Sequence, residues 1–446
     1  ALEGFSSYRN YFREALEKLS VKMHVFRAGD FKSAVEPYLR DDMSPQEKEV
    51  TLHWLQQIWA QFTSIVETQR DLEAGSVDRY INSLSETMIA EKGNVAEIAL
   101  NAGLVDKLMS RDEGNKYLVE VVGASNDDGL YEAVEFERYI ARKRPLALTK
   151  PEGSRVAVVT AYGNILPGDQ PPGTIGGDSL ARLIRSTADD DNVAAIVMRV
   201  TSGGGSMFAS EVVRQQVLYA QSKGLPFVVS MGSVAASGGY YIAAPADQIW
   251  ATPSTITGSI GVFAAFPTFE DLLQRVGIYT DGVGTTELAG SIRADRPLNP
   301  ELVQTMNSAV GFAYDTFLEV VAEGRAMSVE DVDTIAQGRV WSASDALDIG
   351  LVDALGSLEQ AVDAAAELAA VEDYKVDYVD YPLSPRDQFM KQLANRVGSV
   401  GVLRHSKLVT NVSALLAPLG EAAEEISLLQ DPRHLYMRCV SCAGFK

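Results

Sequence analysis

The chain lacks any run of eighteen or more apolar residues, so no stretch of it reads as a membrane-spanning helix. Its first residues, ALEGFSSYRNYFREALEKL, are not a signal peptide either. Because no methionine precedes Ala1, the numbering is expected to begin inside a longer gene product. Basic residues are few: 39 Lys and Arg against 60 Asp and Glu give a formal net charge of −21. That balance argues against nucleic acid and against electrostatic attachment to anionic lipid, leaving proteins, peptides or neutral molecules as partners. Histidine occurs only as His24, His53, His405 and His434, all outside residues 154–370. A Ser-His-Asp triad centred there would have to borrow its base from another domain. Cysteine occurs twice, as Cys439 and Cys442 in a terminal CVSC. A lone CxxC lacks the second ligand pair of a zinc ribbon, and His434 adds one donor at most, so metal binding, a disulfide from an oxidising compartment and an idle surface pair stay open.

Small and apolar residues are what the chain has in quantity. With 446 residues, 46% of them hydrophobic, it can fill two or three domains. Residues 226–263, PFVVSMGSVAASGGYYIAAPADQIWATPSTITGSIGVF, are the stretch the rest supports. Phe227, Val228 and Val229 read as a short buried strand that stops at Ser230-Met231-Gly232, where the period breaks. The following Ala235-Ala236-Ser237-Gly238-Gly239 is small enough for a helix starting there to approach another backbone closely. A hydroxyl at a strand-to-helix transition, beside glycine N–H groups that can face developing negative charge, suits acyl transfer. The plainer reading is a tightly packed small-residue helix start. Upstream, the apolar strand Val193–Val200 ends in Thr201-Ser202-Gly203-Gly204-Gly205-Ser206. No Gly-Lys-Ser/Thr follows and no dinucleotide-type spacing is present, so an oxyanion hole fits this run better than a phosphate site.

In chain order, residues 6–20 read as a helix, Val21–Arg27 as a strand, 45–74 as a long helix after Ser44-Pro45, and 76–91 and 94–102 as further helices. Polar residues 110–117 and the stretch 123–129 suggest surface or mobile chain, leading through a basic segment to a new start. From Ser154 strands and helices alternate: strand 155–161, helix 177–188, strand 193–200, helix 208–222, strands 227–229 and 248–251. Strands this apolar, alternating with helices, indicate a mostly parallel α/β sheet covered on both faces. Helices at 300–323, 329–336 and 358–370 complete the pattern.

Two pieces repeat. KSAVEPYLRDDMSP at 32–45 aligns without a gap to ELAGSIRADRPLNP at 287–300, each before a long helix, and GLVDKL at 103–108 matches GLVDAL at 350–355. The second copy begins with the sheet at 154, so about 120 residues equivalent to its first strands are expected before Ala1 in the first copy. Glu287 holds the place of Lys32 in the second copy.

A serine nucleophile needs a base, and a lysine serves when burial makes its neutral form accessible. Lys223 sits on a polar turn and reads as solvated. Lys32, between Phe31 and Ser33-Ala34-Val35, could be partly dehydrated, although an ordinary surface lysine after a strand is the simpler reading. The residues alone do not choose.

The chain resembles the signal peptide peptidase A (protease IV) family in its long two-domain bacterial form. The resemblance rests on FRAGDFKSAVEPYLRDDMSP at 26–45, RVTSGGGSMFASE at 199–211, VVSMGSVAASGGYYIAAPADQI at 228–249 and TPSTITGSIGVF at 252–263. It implies a crotonase-like (ClpP/crotonase) α/β fold in tandem repeated domains, and a Ser/Lys-dyad serine peptidase that degrades cleaved signal peptides without cofactor or metal. It also implies an N-terminal membrane anchor, absent from this chain, a periplasmic face of the bacterial inner membrane, and a homotetramer. By motif, Ser237 is the nucleophile, Lys32 the general base and Ser259 the hydroxyl that orients the lysine. One oxyanion donor falls at Gly204-Gly205 and the other at Gly238. Gly203 stands where relatives are expected to have proline, a change that removes no N–H donor.

The resulting division is 1–120 as the C-terminal part of a first crotonase-like domain carrying the lysine, 121–153 as linker, 154–370 as a second such domain with nucleophile and oxyanion hole, and 371–446 as an extension. Met207, Met231, Val234, Tyr240 and Phe263 are candidate walls for an apolar peptide, each with core packing as its other reading. The rivals are a non-catalytic peptide-binding scaffold and an acyl-CoA enzyme, the latter without an evident acidic base near the glycine run.

Overall fold

Alternate residues of a strand face opposite sides of its sheet, and in the central strands of this protein both sets are apolar. In Arg155–Tyr162, Ala157 and Val159 are buried in one cluster while Val156 and Val158 are buried in another. Such strands must be covered on both faces. Leu358–Leu368 covers one, through Ala361, Val362, Ala365 and Ala366. The other is packed by residues of Gly177–Ala188, Met207–Ser222 and Pro300–Arg325. Each fully buried Val or Ile here is worth roughly 1.5–3 kcal/mol relative to exposure.

The computed structural model describes residues 2–125, 130–143, 153–286, 288–379, 428–439 and 442. Glu287, much of the segment 121–153 and most of 371–446 lie outside them. Two compact units are present: Ser7–Leu55 with Gly153–Lys446, and Ala1–Ser6 with Gln56–Glu152. They cut the chain differently from the sequence boundaries at 120 and 153, because residues 7–55 pack with the later sheet. The smaller unit is helical, with Val77 and Ile98 at its core and the Glu67 carboxylate accepting from Gly75 N and Val77 N, each at 3.0 Å.

In the larger unit the main sheet runs Val340–Ser342, Ile256–Gly258, Phe227–Ala236, Val193–Ser202, Arg155–Tyr162, Lys375–Val379, and every pair but the first is parallel. A second sheet orders Lys22–Ala28, Val262–Thr268, Tyr436–Arg438, Gly204–Ser206, Ile165–Leu166 and Ile175–Gly176. Pro45 and Pro300 both open long helices, Pro45–Gln69 and Pro300–Arg325, of 25 and 26 residues. Proline suits that first position because its missing N–H would be unpaired there in any case.

One local expectation needs correction. The strand from Phe227 does not stop at Ser230-Met231-Gly232 but runs to Ala236. It is paired on both sides, with Val193–Ser202 and, through Val234–Ala236, with Ile256–Gly258, and those ladder bonds keep small residues extended. Residues 110–117 lie on the surface, as read, and are helical: a capping box of Ser110 and Glu113 starts the helix Arg111–Val122, which buries none of its residues. Its first turns are polar, while Leu118, Val121 and Val122 in its second half stay exposed.

Candidate active site

The strand Phe227–Ala236 delivers Ser237 to the start of the short helix Gly238–Ala243. Its φ of 55° and ψ of −117° are unusual for a residue with a Cβ. The surroundings hold that conformation: Ser237 N donates to Gly258 O and Tyr241 N donates to Ser237 O, both at 2.8 Å.

Lys32 arrives from the other sheet. Lys22–Ala28 pairs antiparallel with Val262–Thr268 over seven residues, and a turn then carries the chain inward. Phe31 N donates to Gln337 O at 2.7 Å, Lys32 N donates to Gly29 O at 3.1 Å, and the Arg339 guanidinium lies 4.3 Å from the centre of the Phe31 ring. Lys32 is 1% exposed. Its Nζ lies 2.7 Å from Ser237 Oγ, 3.0 Å from Ser259 O and 3.1 Å from Ser259 Oγ. Burial in this uncharged nest pushes the amine's pKa well below its ordinary 10.5, since desolvation disfavours the ammonium. A neutral amine in contact with a serine hydroxyl can accept its proton.

Ser259 has φ of 51°, and its N–H donates to Arg339 O at 2.6 Å. The turn Gln337–Arg339 therefore supports both Lys32 and Ser259. Sequence reasoning missed this shelf: Gln-Gly before the strand Val340–Ser342 marks a turn, but a turn signal does not say what the turn touches.

Among the oxyanion candidates, the Gly204 N–H is taken by Ser202 Oγ at 3.0 Å. Gly205 stands opposite Met437 in an antiparallel ladder, and Gly238 opens the short helix that follows Ser237. Gly203 O accepts from Cys439 N at 2.7 Å, so the residue without the expected proline is tied down from outside. Cys439 and Cys442 form a disulfide. Met207 is half-buried, and its N–H donates to Leu435 O at 3.1 Å. Phe263 pairs with Tyr436. Met231 and Tyr240 are fully enclosed in the core, the Tyr240 hydroxyl donating to Leu351 O at 2.8 Å, and Val234 is buried on the nucleophile strand. Of the described histidines, His24 bonds Thr268 Oγ1 and His53 bonds Asp345; His405 lies outside the described residues.

The profile of Peptidase family S49 matches residues 2–123 and 219–372. The chain belongs to that family. Protease 4 of Salmonella typhi is 38% identical over 453 residues, covering the whole of this chain and 71% of the relative. Protease 4 of Haemophilus influenzae is 36% identical over 454 residues, with 100% and 72% covered. The chloroplastic serine protease SPPA of Arabidopsis thaliana is 30% identical over 418 residues, covering 91% of this chain and 59% of its own length. As a family S49 member the chain is a serine peptidase of the α/β, crotonase-like fold.

Proposed function

We propose that this serine peptidase hydrolyses cleaved, apolar signal peptides through an acyl-enzyme, with Ser237 as nucleophile and Lys32 as general base. The contact of 2.7 Å between Lys32 Nζ and Ser237 Oγ, made by a lysine that burial holds toward its neutral form, carries the reading. The neutral amine takes the Ser237 proton as Oγ bonds to the scissile carbonyl carbon. Backbone N–H groups of Gly205 and Gly238 receive the oxyanion, and one such donor is typically worth about 3–4 kcal/mol of barrier. The ammonium then protonates the departing amine as the C–N bond breaks, and the regenerated amine takes a proton from the water that cleaves the ester. Ser259, through its hydroxyl and carbonyl, points the lysine at the nucleophile.

The wider setting belongs to the same proposal. Residues 1–120 are read as the end of a first crotonase-like domain and 154–370 as the second, in a homotetramer at the bacterial inner membrane with its sites facing the periplasm. The Cys439–Cys442 disulfide favours an oxidising compartment. Among the described residues no helix is long and apolar enough to cross a membrane. Met207, which follows the glycine strand, and Phe263, across Tyr436 from it, are the wall candidates.

The test is a fluorophosphonate adduct at Ser237 in the wild-type chain and its absence in Lys32→Ala, with hydrolysis of an apolar signal-peptide fragment lost in the same variant. Undiminished turnover without the Lys32 amine ends the dyad reading.

A further inference from the structure

Leu435–Cys439 lies along the glycine strand. The register is antiparallel, with Tyr436 opposite Ser206, Met437 opposite Gly205 and Arg438 opposite Gly204. Met207 N donates to Leu435 O at 3.1 Å, and Cys439 N donates to Gly203 O at 2.7 Å. In such a ladder residues two apart turn their N–H and C=O to the same neighbour, so Met437, midway between those two bonds, turns its polar groups to Gly205. On its other edge the segment meets Phe263 through Tyr436.

The Met437 carbonyl oxygen also reaches the residue after the nucleophile. A Cβ on Gly204 would stand 2.0 Å from Met437 O and 2.5 Å from Gly238 N, and a Cβ on Gly238 would stand 3.0 Å from that same oxygen. A backbone carbonyl thus occupies the space between the two glycine segments that flank Ser237. The segment is clamped at its near end. Asp431 accepts from the Ser206 hydroxyl, from Phe208 N at 3.0 Å and from Arg433 N at 2.7 Å. Tyr436 and Met437 are buried to 1% and 0% exposure.

We infer that Leu435–Cys439 is an intramolecular competitor of the peptide substrate, docked as a substrate strand with Met437 in the place of the residue whose carbonyl Ser237 attacks. This rests on the Ser237/Lys32 reading. Substrate enters only when the segment leaves, as a strand between Gly204–Ser206 and Val262–Thr268. The side chain taking Met437's place is enclosed, which suits an unbranched apolar residue and rejects a charged one.

Met437→Asp in the full chain puts a carboxylate into that enclosed position and expels the segment. Its Ser237 is expected to react with a fluorophosphonate roughly tenfold faster than wild type or more, as for a segment docked in about nine molecules of ten. Added peptide of sequence LYMRC is expected to slow it again. Equal labelling rates in wild type and a folded Met437→Asp overturn the inference. A second arm uses the Ser237→Ala chain and reads binding alone, so its outcome is independent of the dyad chemistry and of whether Met437→Asp folds. Amide exchange of Leu435–Cys439 is expected to be slow and to accelerate when an apolar peptide saturates the site. Exchange that stays slow with peptide bound overturns the inference. Absence of a Ser237 adduct in both chains, with exchange responding as expected, indicts the dyad and leaves the docked segment standing.

Discussion

Gly338 presses its backbone against that of Lys32: a Cβ at 338 would stand 2.6 Å from Lys32 N and 2.7 Å from its Cα. Gly338 also has φ of 80°, where a side chain is strained. Gly338→Ala must therefore shift the turn that aims the lysine. We expect kcat to fall roughly tenfold to a hundredfold, as for other small misplacements of a reacting group, with a smaller change in KM. Steady-state kinetics on an apolar peptide checks this, and an unaltered kcat would contradict it.

Activity should follow the deprotonation of Lys32. Its pKa in the folded protein lies well below 10.5 because the amine is buried, and only the neutral amine can take the serine proton. The rate therefore rises with pH through that lowered value and then levels off. A pH profile of kcat/KM that is flat through this range, in a chain still labelled at Ser237, would separate the lysine from the chemistry.

The same burial makes stability depend on pH. Between the lowered folded pKa of Lys32 and its ordinary 10.5, the unfolded chain binds a proton that the folded chain does not, so stability rises with pH across that window. Below the folded value the penalty is fully present; above 10.5 it is gone. Lys32→Met should remove this slope, so the advantage of the variant over wild type shrinks as pH climbs toward 10.5. Urea denaturation of both chains at several pH values reads the difference, and parallel curves would refute it.

Ser259→Ala removes the hydroxyl 3.1 Å from Lys32 Nζ but keeps the carbonyl at 3.0 Å. Losing one of two orienting contacts should cost about 1 kcal/mol, or about fivefold in kcat. The loss expected on Lys32→Ala is larger, roughly a hundredfold to ten-thousandfold. Equal losses in the two variants would give Ser259 a larger part than orientation.

Ser202→Ala takes away the acceptor of the Gly204 N–H and leaves that donor unpaired in a buried place, at a cost of about 1–3 kcal/mol. The glycine strand loses a restraint beside the proposed oxyanion donors. Denaturation should show lower stability and steady-state assays a lower kcat; an enzyme with both unchanged would show that Ser202 has no part in holding the strand.

The repeat legible at Pro45 and Pro300 became two long helices because proline at the first helical position and the apolar period after it act within a few turns of chain. The close backbone approach at the glycine run and at ASGG was legible for the same reason, because glycine and small residues declare it wherever they occur; their parts as donors and nucleophile belong to the proposed mechanism. The helix Arg111–Val122 was read only as surface chain because it buries no residue, although Ser110-x-x-Glu113 is a local start signal. The full length of the strand ending at Ala236 was missed because its small residues are kept extended by neighbours on either side.

The amino-acid order alone determined the apolar strands of the sheet, the helix starts, the serine at a strand end and the family pattern around it, all of them properties of contiguous residues. The contact of Lys32 with that serine, the partner of the Gly204 N–H, the joining of the two cysteines and the seating of Tyr436–Arg438 on Gly204–Ser206 were decided only by the folded chain. Each joins partners by ladder bonds, burial or a covalent link set up elsewhere in the fold. The Lys32 and Ser237 side chains meet across 205 positions, and local preference carries no information over that distance.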